Sequence, residues 1–331
     1  MKTLRIRVAA EDGGQRLDRF LAVRLPRSRS QLQSDIGAGR VRVDGETARA
    51  STRLAGGELV TVEPGPALTG EEMLPEAEPL VVLWEDADVA LIDKPAGIAV
   101  HPGAGRATGT LAHRLLARYP EIAAIGHPRR PGIVHRLDLG TSGVMAIARS
   151  EASYQRLVAD FAARRVVKEY LAVAHGATPA RLTLEAPIAR HPTERKRMAV
   201  RAGGRPARTE LIRLGLAASD RLSLVALHLH TGRTHQIRVH LKHAGHPLVG
   251  DPTYGEERWK ELSGRARAAV RAFPRPALHA WRLGLRHPRT GEPLAAEAPP
   301  PADLVTLWQE AGGRALQLCL AAAQSSSSSA V

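Results

Sequence analysis

The run His135-Arg136-Leu137-Asp138-Leu139-Gly140-Thr141-Ser142-Gly143 places one carboxylate beside an arginine, ahead of glycine and small hydroxyl residues. Apolar residues at 132–134 and 144–148 predict a short strand on each side of it. A tight turn between two buried strands presents a side chain from a rigid base, which suits a catalytic group. The alternative is a surface turn in which Asp138 only caps a backbone group.

The tripeptide Arg-Leu-Asp inside that run carries no information by itself. Arg16-Leu17-Asp18 repeats it near the N-terminus, where it is predicted to open a helix. What distinguishes the second copy is its longer context and the segments that follow it in order. Those segments are Arg-Val-Val-Lys-Glu-Tyr at 165–170, Thr-Gly-Arg-Thr-His-Gln-Ile-Arg-Val-His at 231–240, His-Pro-Leu-Val-Gly-Asp-Pro-Thr-Tyr-Gly at 246–255 and Ala-Leu-His-Ala at 277–280.

In this combination the chain resembles the RluA-type pseudouridine synthase family, over about two thirds of its length, from residue 80 to 304. Several motifs in the same order are far more specific than any one alone. The resemblance implies an α+β catalytic domain with a mixed, largely antiparallel sheet. It also implies an isomerase that converts uridine in RNA to pseudouridine and needs no metal or cofactor.

The resemblance also assigns roles to single residues. It makes Asp138 the essential catalytic carboxylate, places Tyr170 against the target base and pairs Arg238 with the catalytic carboxylate. It further implies that Arg136 enters the gap left by the flipped uridine and that Leu248 packs on the base.

Elementary electrostatics supports an arginine partner for Asp138. A carboxylate that reacts in a water-poor pocket must stay ionised, although desolvation raises the pKa of a carboxylic acid. A guanidinium keeps its charge when buried and holds a carboxylate in bidentate geometry. Arg238 is predicted to lie in a helix capped by Thr234 that runs to Ala244, just ahead of Gly245. The alternative for Arg238 is the solvent-facing side of an amphipathic helix.

Tyr170 is predicted to lie in a strand that covers residues 166–173. By general frequency, a strand tyrosine belongs to the core more often than to a binding site. The preceding helix is predicted to be capped by Ser150. Its predicted buried residues are Tyr154, Leu157, Val158 and Phe161.

Residues 1–63 are predicted to form a separate small domain, whose helix-helix-strand-turn-strand order resembles the S4 RNA-binding domain. An Asp-Gly turn at 44–45 joins two of its strands. The alternative for its basic residues is a solvated cationic surface. The candidate RNA contacts in this domain are Arg27, Arg29, Arg40 and Arg42.

Residues 64–78 hold four glutamates, no Lys or Arg, and prolines near both ends, which predicts a linker. The catalytic domain is expected at 79–310 and a disordered Ala/Ser-rich tail at 311–331. Residues 190–213 hold eight basic side chains against two glutamates, the densest candidate for phosphate contacts. The candidates named here and in the 231–240 segment are Arg197, Arg205 and Arg233.

Composition favours a polyanionic partner and disfavours several other classes. The formal net charge is +14, which fits RNA, and the resemblance gives no reason to expect DNA. No apolar run approaches the ~18 residues that a membrane span needs, and the charged start lacks a signal-peptide core, so a cytoplasmic protein is expected. The single Cys319 offers neither a disulfide framework nor a zinc site. Six clustered histidines from 228 to 246 are interspersed with arginines, which favours structural roles and phosphate contacts over a metal site.

The resemblance further implies an isomerase that acts on specific uridines of large-subunit (23S) ribosomal RNA or its precursor particle, with the helix 69 stem-loop as a candidate target. Two alternatives remain open at this stage. A non-catalytic RNA-binding or assembly factor would explain the charge and the first domain, but it would not need Asp138, Tyr170 and Arg238 together. A metal-dependent RNA hydrolase would shorten its substrate and lose activity in a chelator.

Overall fold

A computed structural model describes residues 3–25, 29–63, 73–103, 106–194 and 197–316 of the chain. The helices within them are α1 Leu17–Arg24, α2 Arg29–Gly37, α3 Leu111–Arg118, α4 Glu151–Ala162, α5 Gln236–His243, α6 Gly264–Ala272 and α7 Ala302–Glu310. The strands are β1 Leu4–Arg7, β2 Val41–Val43, β3 Glu46–Thr47, β4 Leu59–Val62, β5 Val81–Glu85, β6 Val89–Lys94, β7 Gly126–His127, β8 Arg130–Pro131, β9 Ser142–Ala148, β10 Val167–His175, β11 Arg181–Glu185, β12 Ile188–Arg190, β13 Met198–Val200, β14 Arg208–Ala217, β15 Leu222–Leu229, β16 Leu278–Arg286 and β17 Pro293–Glu297.

Two compact units divide these elements. The first contains the residues up to Leu74 together with Gly126–Pro131, and the second contains Pro75–Ile125 and the residues from Gly132 onward. The first unit has an antiparallel sheet in the order β1-β4-β2-β3. Its predicted Asp-Gly turn has left-handed φ values of 49° at Asp44 and 86° at Gly45, as a tight hairpin turn requires.

The first copy of Arg-Leu-Asp is structural. Asp18 is fully buried in the first turn of α1, where it accepts hydrogen bonds from Arg16 Nε at 3.0 Å and Gln33 Nε2 at 2.8 Å. Strand β1 was not predicted; it is only four residues long, and of its two apolar residues Leu4 is exposed and Ile6 half-buried. The apolar faces of α1 and α2 pack on the sheet around Phe20, as helical spacing predicts.

The second unit has a nine-stranded sheet in the order β11-β14-β15-β10-β16-β9-β6-β5, with β17 paired to β16. Its described strand pairs are antiparallel except β9 with β16, so the predicted mixed, largely antiparallel α+β architecture is confirmed. The strand predicted at 144–148 is part of β9. The strand predicted at 132–134 is wrong, since only Ile133 makes a bridge, to Ile147.

Helix α4 is capped as predicted, because the Ser150 side chain accepts from the Ser153 N–H. Leu157 is fully buried in it, and Tyr154 and Phe161 pack against the same core. Val158 is 38% exposed, so its predicted burial is wrong. Its position borders the apolar stripe of the helix without facing the sheet.

The predicted linker and tail differ in part from the structure. Residues 64–72 and 317–331 lie outside the described residues. Glu76 accepts a hydrogen bond from the Gly109 N–H at 2.9 Å, so the last part of the predicted linker is bonded to the second unit. The disorder predicted for 311–316 is wrong, because Ala311 and Leu316 are buried in one core cluster with Trp308.

Gly143 explains how β9 and β16 approach each other. Its φ is 115°, and a Cβ there would lie 2.1 Å from the carbonyl oxygen of Ala280. The replacement Gly143→Ala is expected to lower the free energy of unfolding by about 3 kcal/mol or more, through backbone strain and overpacking.

Chemical denaturation of Gly143→Ala beside Gly291→Ala measures this effect. Gly291 also has a left-handed φ of 77°, but a Cβ there would meet nothing within 4 Å. The control is expected to cost only about 1 kcal/mol. Equal losses in the two variants would contradict the close approach at Gly143.

Candidate active site

The loop that carries Asp138 is held from several sides. The Asp138 carbonyl accepts from the Thr141 N–H at 3.1 Å, and the Leu139 carbonyl accepts from the Gly97 N–H at 2.8 Å. Arg275 Nη1 donates to the Gly140 carbonyl at 3.2 Å. The Asp138 side chain itself is 20% exposed. A fixed backbone with a partly open carboxylate is the arrangement that catalysis requires.

His135 supports this loop as a neutral structural residue. Its Nε2 accepts from the Ala146 N–H of β9 at 2.9 Å, and its ring stacks on Phe161 with centroids 4.4 Å apart. Burial, together with the charge of Lys168, lowers the pKa of His135 to about 3. Since the ring is neutral at physiological pH, it anchors the loop to β9 and α4 without adding charge.

Arg238 joins two carboxylates. Its Nη1 lies 3.0 Å from Asp138 Oδ2, while Nε and Nη2 donate to Asp251 Oδ2 and Oδ1 at 2.7 and 2.8 Å. Burial alone would raise the pKa of Asp251, but Arg238 and the N–H groups of Thr253 and Tyr254 bring it below its ordinary value. The bidentate partner of Arg238 is therefore Asp251, where the sequence predicted Asp138. The 246–255 segment contained this residue without indicating its role.

Helix α5, which carries Arg238, begins at Gln236 with His235 as its N-cap. The predicted cap at Thr234 is therefore wrong by one residue. The Gln236 side chain fixes this start, because its Oε1 accepts from Thr231 Oγ1 at 2.7 Å and from the Arg233 N–H at 3.0 Å. A glutamine rather than a threonine thus satisfies the turn that leads into the helix.

Tyr170 lies on β10 opposite a bulge in β16. Two steps along β10, from Glu169 to Leu171, oppose three steps of β16, from Arg282 to His279. Such bulges re-aim side chains beside active sites. Tyr170 is 9% exposed, and burial together with the negative charge of Asp138 raises the pKa of its phenol. The structure thus places Tyr170 within the electrostatic influence of Asp138.

Lys94 is a charged neighbour that the sequence did not reveal. It ends strand β6 fully buried, and its Nζ donates to the carbonyls of Pro95 at 2.8 Å and Ile98 at 3.0 Å. Burial lowers the pKa of Lys94 to about 7, against the opposing effect of the Asp138 charge. A lysine that follows four buried apolar residues and Asp93 in strand β6 was the available signal.

The remaining candidate RNA-binding residues of the second unit differ in how free their side chains are to contact RNA. Arg136 and Arg205 are exposed and make no hydrogen bond or ion pair with their side chains among the described residues. Arg233 is half-buried, and its Nε donates to the Pro206 carbonyl at 3.0 Å. Arg197 is paired with Glu194 at 2.9 Å. Leu248 is fully buried, so contact with a base would require it to be uncovered.

Arg164 is a further cation that sequence reasoning missed. Burial and the charges of Arg205 and Arg164 lower the pKa of Arg233, which shows that the three guanidiniums lie close enough to repel. We call Arg136, Arg164, Arg205 and Arg233 the unpaired arginines, since no carboxylate in the described part of the chain pairs with them. Like charges without counter-charges are typical of an anion-binding surface.

The candidates of the first unit are only partly described. Arg27 and the side chain of Arg29 lie outside the described residues. Arg40 donates to buried Asp35 at 2.8 Å. Arg42 is exposed, donates to the Gly45 carbonyl at 3.2 Å and lies 3.9 Å from Glu63. Of the two described side chains, that of Arg42 is more exposed than that of Arg40.

The clustered histidines do not form a group of metal-like spacing among the described residues, and His240 has two protein partners. His240 Nδ1 lies 2.9 Å from Thr209 Oγ1, and its Nε2 lies 2.9 Å from the Ala186 carbonyl. Asp86, Asp88 and His287 form the one group of metal-like spacing among the residues described. His287 Nε2 already lies 2.8 Å from Asp86 Oδ2, and Arg289 pairs with Asp88.

In the described part of the chain, no helix is long and apolar enough to cross a membrane.

Comparison with known proteins identifies two domains. Residues 88–243 match the family model described as RNA pseudouridylate synthase, and residues 15–60 match the S4 domain. A Xanthomonas campestris protein named ribosomal large subunit pseudouridine synthase D is 46% identical over 92% of each chain. An Escherichia coli protein of the same name is 43% identical over 89% of this chain and 90% of its own. The structure of human RNA pseudouridylate synthase domain containing 1 superposes with a TM-score of 0.54, at 31% identity, over 72% of this chain and 86% of its own.

The buried position of Lys94 predicts a pH effect on stability. Its pKa is about 7 in the folded chain and close to the ordinary 10.5 when unfolded, so the unfolded chain binds more protons between these values. Stability therefore rises with pH in that interval. Relative to a Lys94→Met variant, the free energy of unfolding should rise by roughly 1.4 kcal/mol per pH unit from pH 7 to 9.

Denaturation of both proteins at several pH values in this range gives the difference directly, because other titrating groups are common to the two. Parallel curves for wild type and Lys94→Met would show that Lys94 keeps its ordinary pKa.

Proposed function

The chain belongs to the RNA pseudouridylate synthase family, and we propose that it converts uridines of large-subunit ribosomal RNA to pseudouridine. The RNA target is supported by relatives of that name that align over about nine tenths of this chain, including its S4 domain. Within that RNA, the proposed site is the helix 69 stem-loop. The proposal places the protein in the cytoplasm, where ribosomal RNA of the bacterial relatives lies.

The reaction breaks the N1–C1′ bond of uridine, turns the uracil and joins its C5 to C1′. The proton on C5 is lost and N1 gains one, so no oxidant, reductant or second substrate is consumed. The enzyme must extrude the nucleotide from its stack, which costs a few kcal/mol, and hold the detached base. It must also supply a fixed carboxylate, for attack on C1′ or for another route to the same exchange.

Asp138 is the residue that supplies this carboxylate in our proposal. The observation that carries it is the 3.0 Å contact with Arg238, whose guanidinium is itself clamped by buried Asp251. Asp251 accepts from Nε and Nη2 of Arg238 and so holds the plane of the guanidinium. The direction of Nη1 toward Asp138 is therefore fixed before RNA binds. Preorganised charge of this kind needs no rearrangement during the reaction, and such electrostatic terms are often the largest in catalysis.

Tyr170 is assigned to the uracil ring. Its phenol stays protonated at neutral pH, since burial and Asp138 both raise its pKa. We therefore propose that Tyr170 stacks against the base and does not take the C5 proton as a phenolate. Arg136, which is exposed two residues before Asp138, is proposed to fill the space that the extruded uridine leaves.

Tritium release tests the activity and its carboxylate. Large-subunit ribosomal RNA labelled with tritium at uridine C5 loses its label to water when C5 becomes bonded to C1′. Wild type should release tritium without added metal, and Asp138→Asn should reduce the rate by a factor of at least about 10³, since the reacting group is removed.

The matched control is Asp220→Asn, an aspartate in a surface turn with a left-handed φ of 63° that asparagine also tolerates. It should react as wild type does. Release by Asp138→Asn at the wild-type rate would remove Asp138 from the mechanism. Release from other RNA but not from large-subunit RNA would overturn the target while leaving the isomerase intact.

The unpaired arginines predict how binding depends on salt. Each phosphate contact with single-stranded RNA contributes about 0.7 to the slope of log K against log salt. Arg164→Gln and Arg233→Gln should each weaken RNA binding and lower this slope by roughly that amount, with kcat unchanged at saturating RNA.

Arg197→Gln and Arg286→Gln are the comparisons for this titration. Arg197 is already paired with Glu194, and Arg286 donates to the Gly291 carbonyl outside the group. Both should change the slope less than the unpaired arginines do. Equal changes in all four variants would mean that the surface binds RNA without a localised phosphate site.

A further inference from the structure

His235 has a backbone conformation that its side chain does not explain. It is the N-cap of α5 with φ 56° and ψ 23°, in the left-handed region, and its side chain makes no capping hydrogen bond. A left-handed non-glycine residue costs of order 1 kcal/mol, and asparagine or aspartate tolerates this conformation. A histidine kept in this strained conformation indicates that its side chain has a role other than capping the helix.

The imidazole is held by a tyrosine. His235 Nδ1 lies 2.8 Å from the Tyr254 hydroxyl, and the same hydroxyl oxygen accepts from the Met198 N–H at 2.7 Å. Because the hydroxyl oxygen already accepts one bond, its single proton is available for His235 Nδ1. Nδ1 is then an acceptor and Nε2 carries the proton. Burial, with the charges of Arg238 and Arg136, lowers the pKa of His235 against the opposing effects of Asp138 and Asp251.

The protonated nitrogen faces the carboxylate. His235 Nε2 lies 3.9 Å from Asp138 Oδ1, while Oδ2 already accepts from Arg238 Nη1. The distance is about 1 Å longer than a hydrogen bond, so a small movement closes it. A carboxylate anchored through one oxygen can still turn about χ2, a torsion with a broad energy profile. A donor on the second oxygen removes that freedom.

We propose that His235 is a positioning residue for Asp138: its Nε2–H donates to Asp138 Oδ1 when RNA is bound and fixes the plane of the carboxylate. Tyr254 selects the required tautomer. Arg238 thus supplies a charged donor to one oxygen and His235 a neutral donor to the other. The inference rests on the proposed function, since it concerns the reactivity of Asp138.

Two substitutions separate this role from the backbone role of the residue. In His235→Gln, the amide nitrogen reaches close to the Nε2 position, but glutamine is strained at a left-handed φ. In His235→Asn, the backbone is favourable, but the side chain is too short to reach Asp138. We expect His235→Gln to melt at a lower temperature and keep kcat within about threefold. We expect His235→Asn to melt as wild type does and lose at least tenfold in kcat with KM unchanged, the size of one hydrogen bond to a charged group.

A larger loss of kcat in His235→Gln than in His235→Asn would overturn the proposal. If His235→Asn keeps the wild-type kcat, or if kcat in both variants simply follows their stability, His235 serves the fold alone. These outcomes differ from failure of the proposed function, in which wild type itself releases no tritium from ribosomal RNA.

The tautomer can be measured in the unmutated protein without any assay of activity. Nuclear magnetic resonance of ¹⁵N-histidine-labelled protein should show a His235 ring that is protonated on Nε2 and bare on Nδ1, with the signal assigned by its loss in His235→Asn. Tyr254→Phe should allow the other tautomer and lower kcat less than His235→Asn does. Protonation on Nδ1 in wild type would overturn the proposal even if no variant folds.

Discussion

The guanidinium of Arg238 is the interaction on which the active site depends. It is a buried cation between two carboxylates, one fully buried and one partly exposed. Removing a charge from water costs several kcal/mol unless partners replace the lost hydration. Asp251 provides that replacement through two hydrogen bonds, which leaves Nη1 for Asp138. Asp251 therefore holds Arg238 in place, while Asp138 keeps unused hydrogen-bonding capacity and is the carboxylate that we propose reacts.

The two copies of Arg-Leu-Asp show that this capacity comes from the tertiary structure. Asp18 is fully buried and its carboxylate accepts from Arg16 and Gln33, so nothing remains for a ligand. Asp138 follows the same two residues but sits 20% exposed in a loop anchored to β9. A satisfied carboxylate stabilises a helix start, whereas a partly satisfied and partly exposed one can react.

The sequence predicted the elements better than the contacts between them. Local sequence was sufficient to predict β9, β10 and the cap of α4, and the family resemblance assigned Asp138, Tyr170 and Arg238 to one site. It missed Asp251 as the bidentate partner, because the choice between two carboxylates, 13 and 100 residues from Arg238, is made by folding. The start of α5 was missed for the same reason. Local propensity favours Thr234 as the cap, whereas the Gln236 network and Tyr254 hold His235 there.

Two groups of arginines in the second unit have opposite thermodynamic roles. Arg238 and Arg275 are buried and paired with aspartates, so their geometry is fixed during folding, before RNA binds. Three of the unpaired arginines, Arg164, Arg205 and Arg233, lie close enough that the first two lower the pKa of the third, and such repulsion raises the free energy of the unbound protein. In our proposal, RNA phosphates bind these arginines and relieve the repulsion, so part of the RNA-binding energy is the removal of a cost already present. Extrusion of the nucleotide also costs free energy. In the proposal, phosphate binding at these arginines offsets that cost without tightening the contacts around Asp138. Affinity and reactivity are therefore carried by different residues of the same charge.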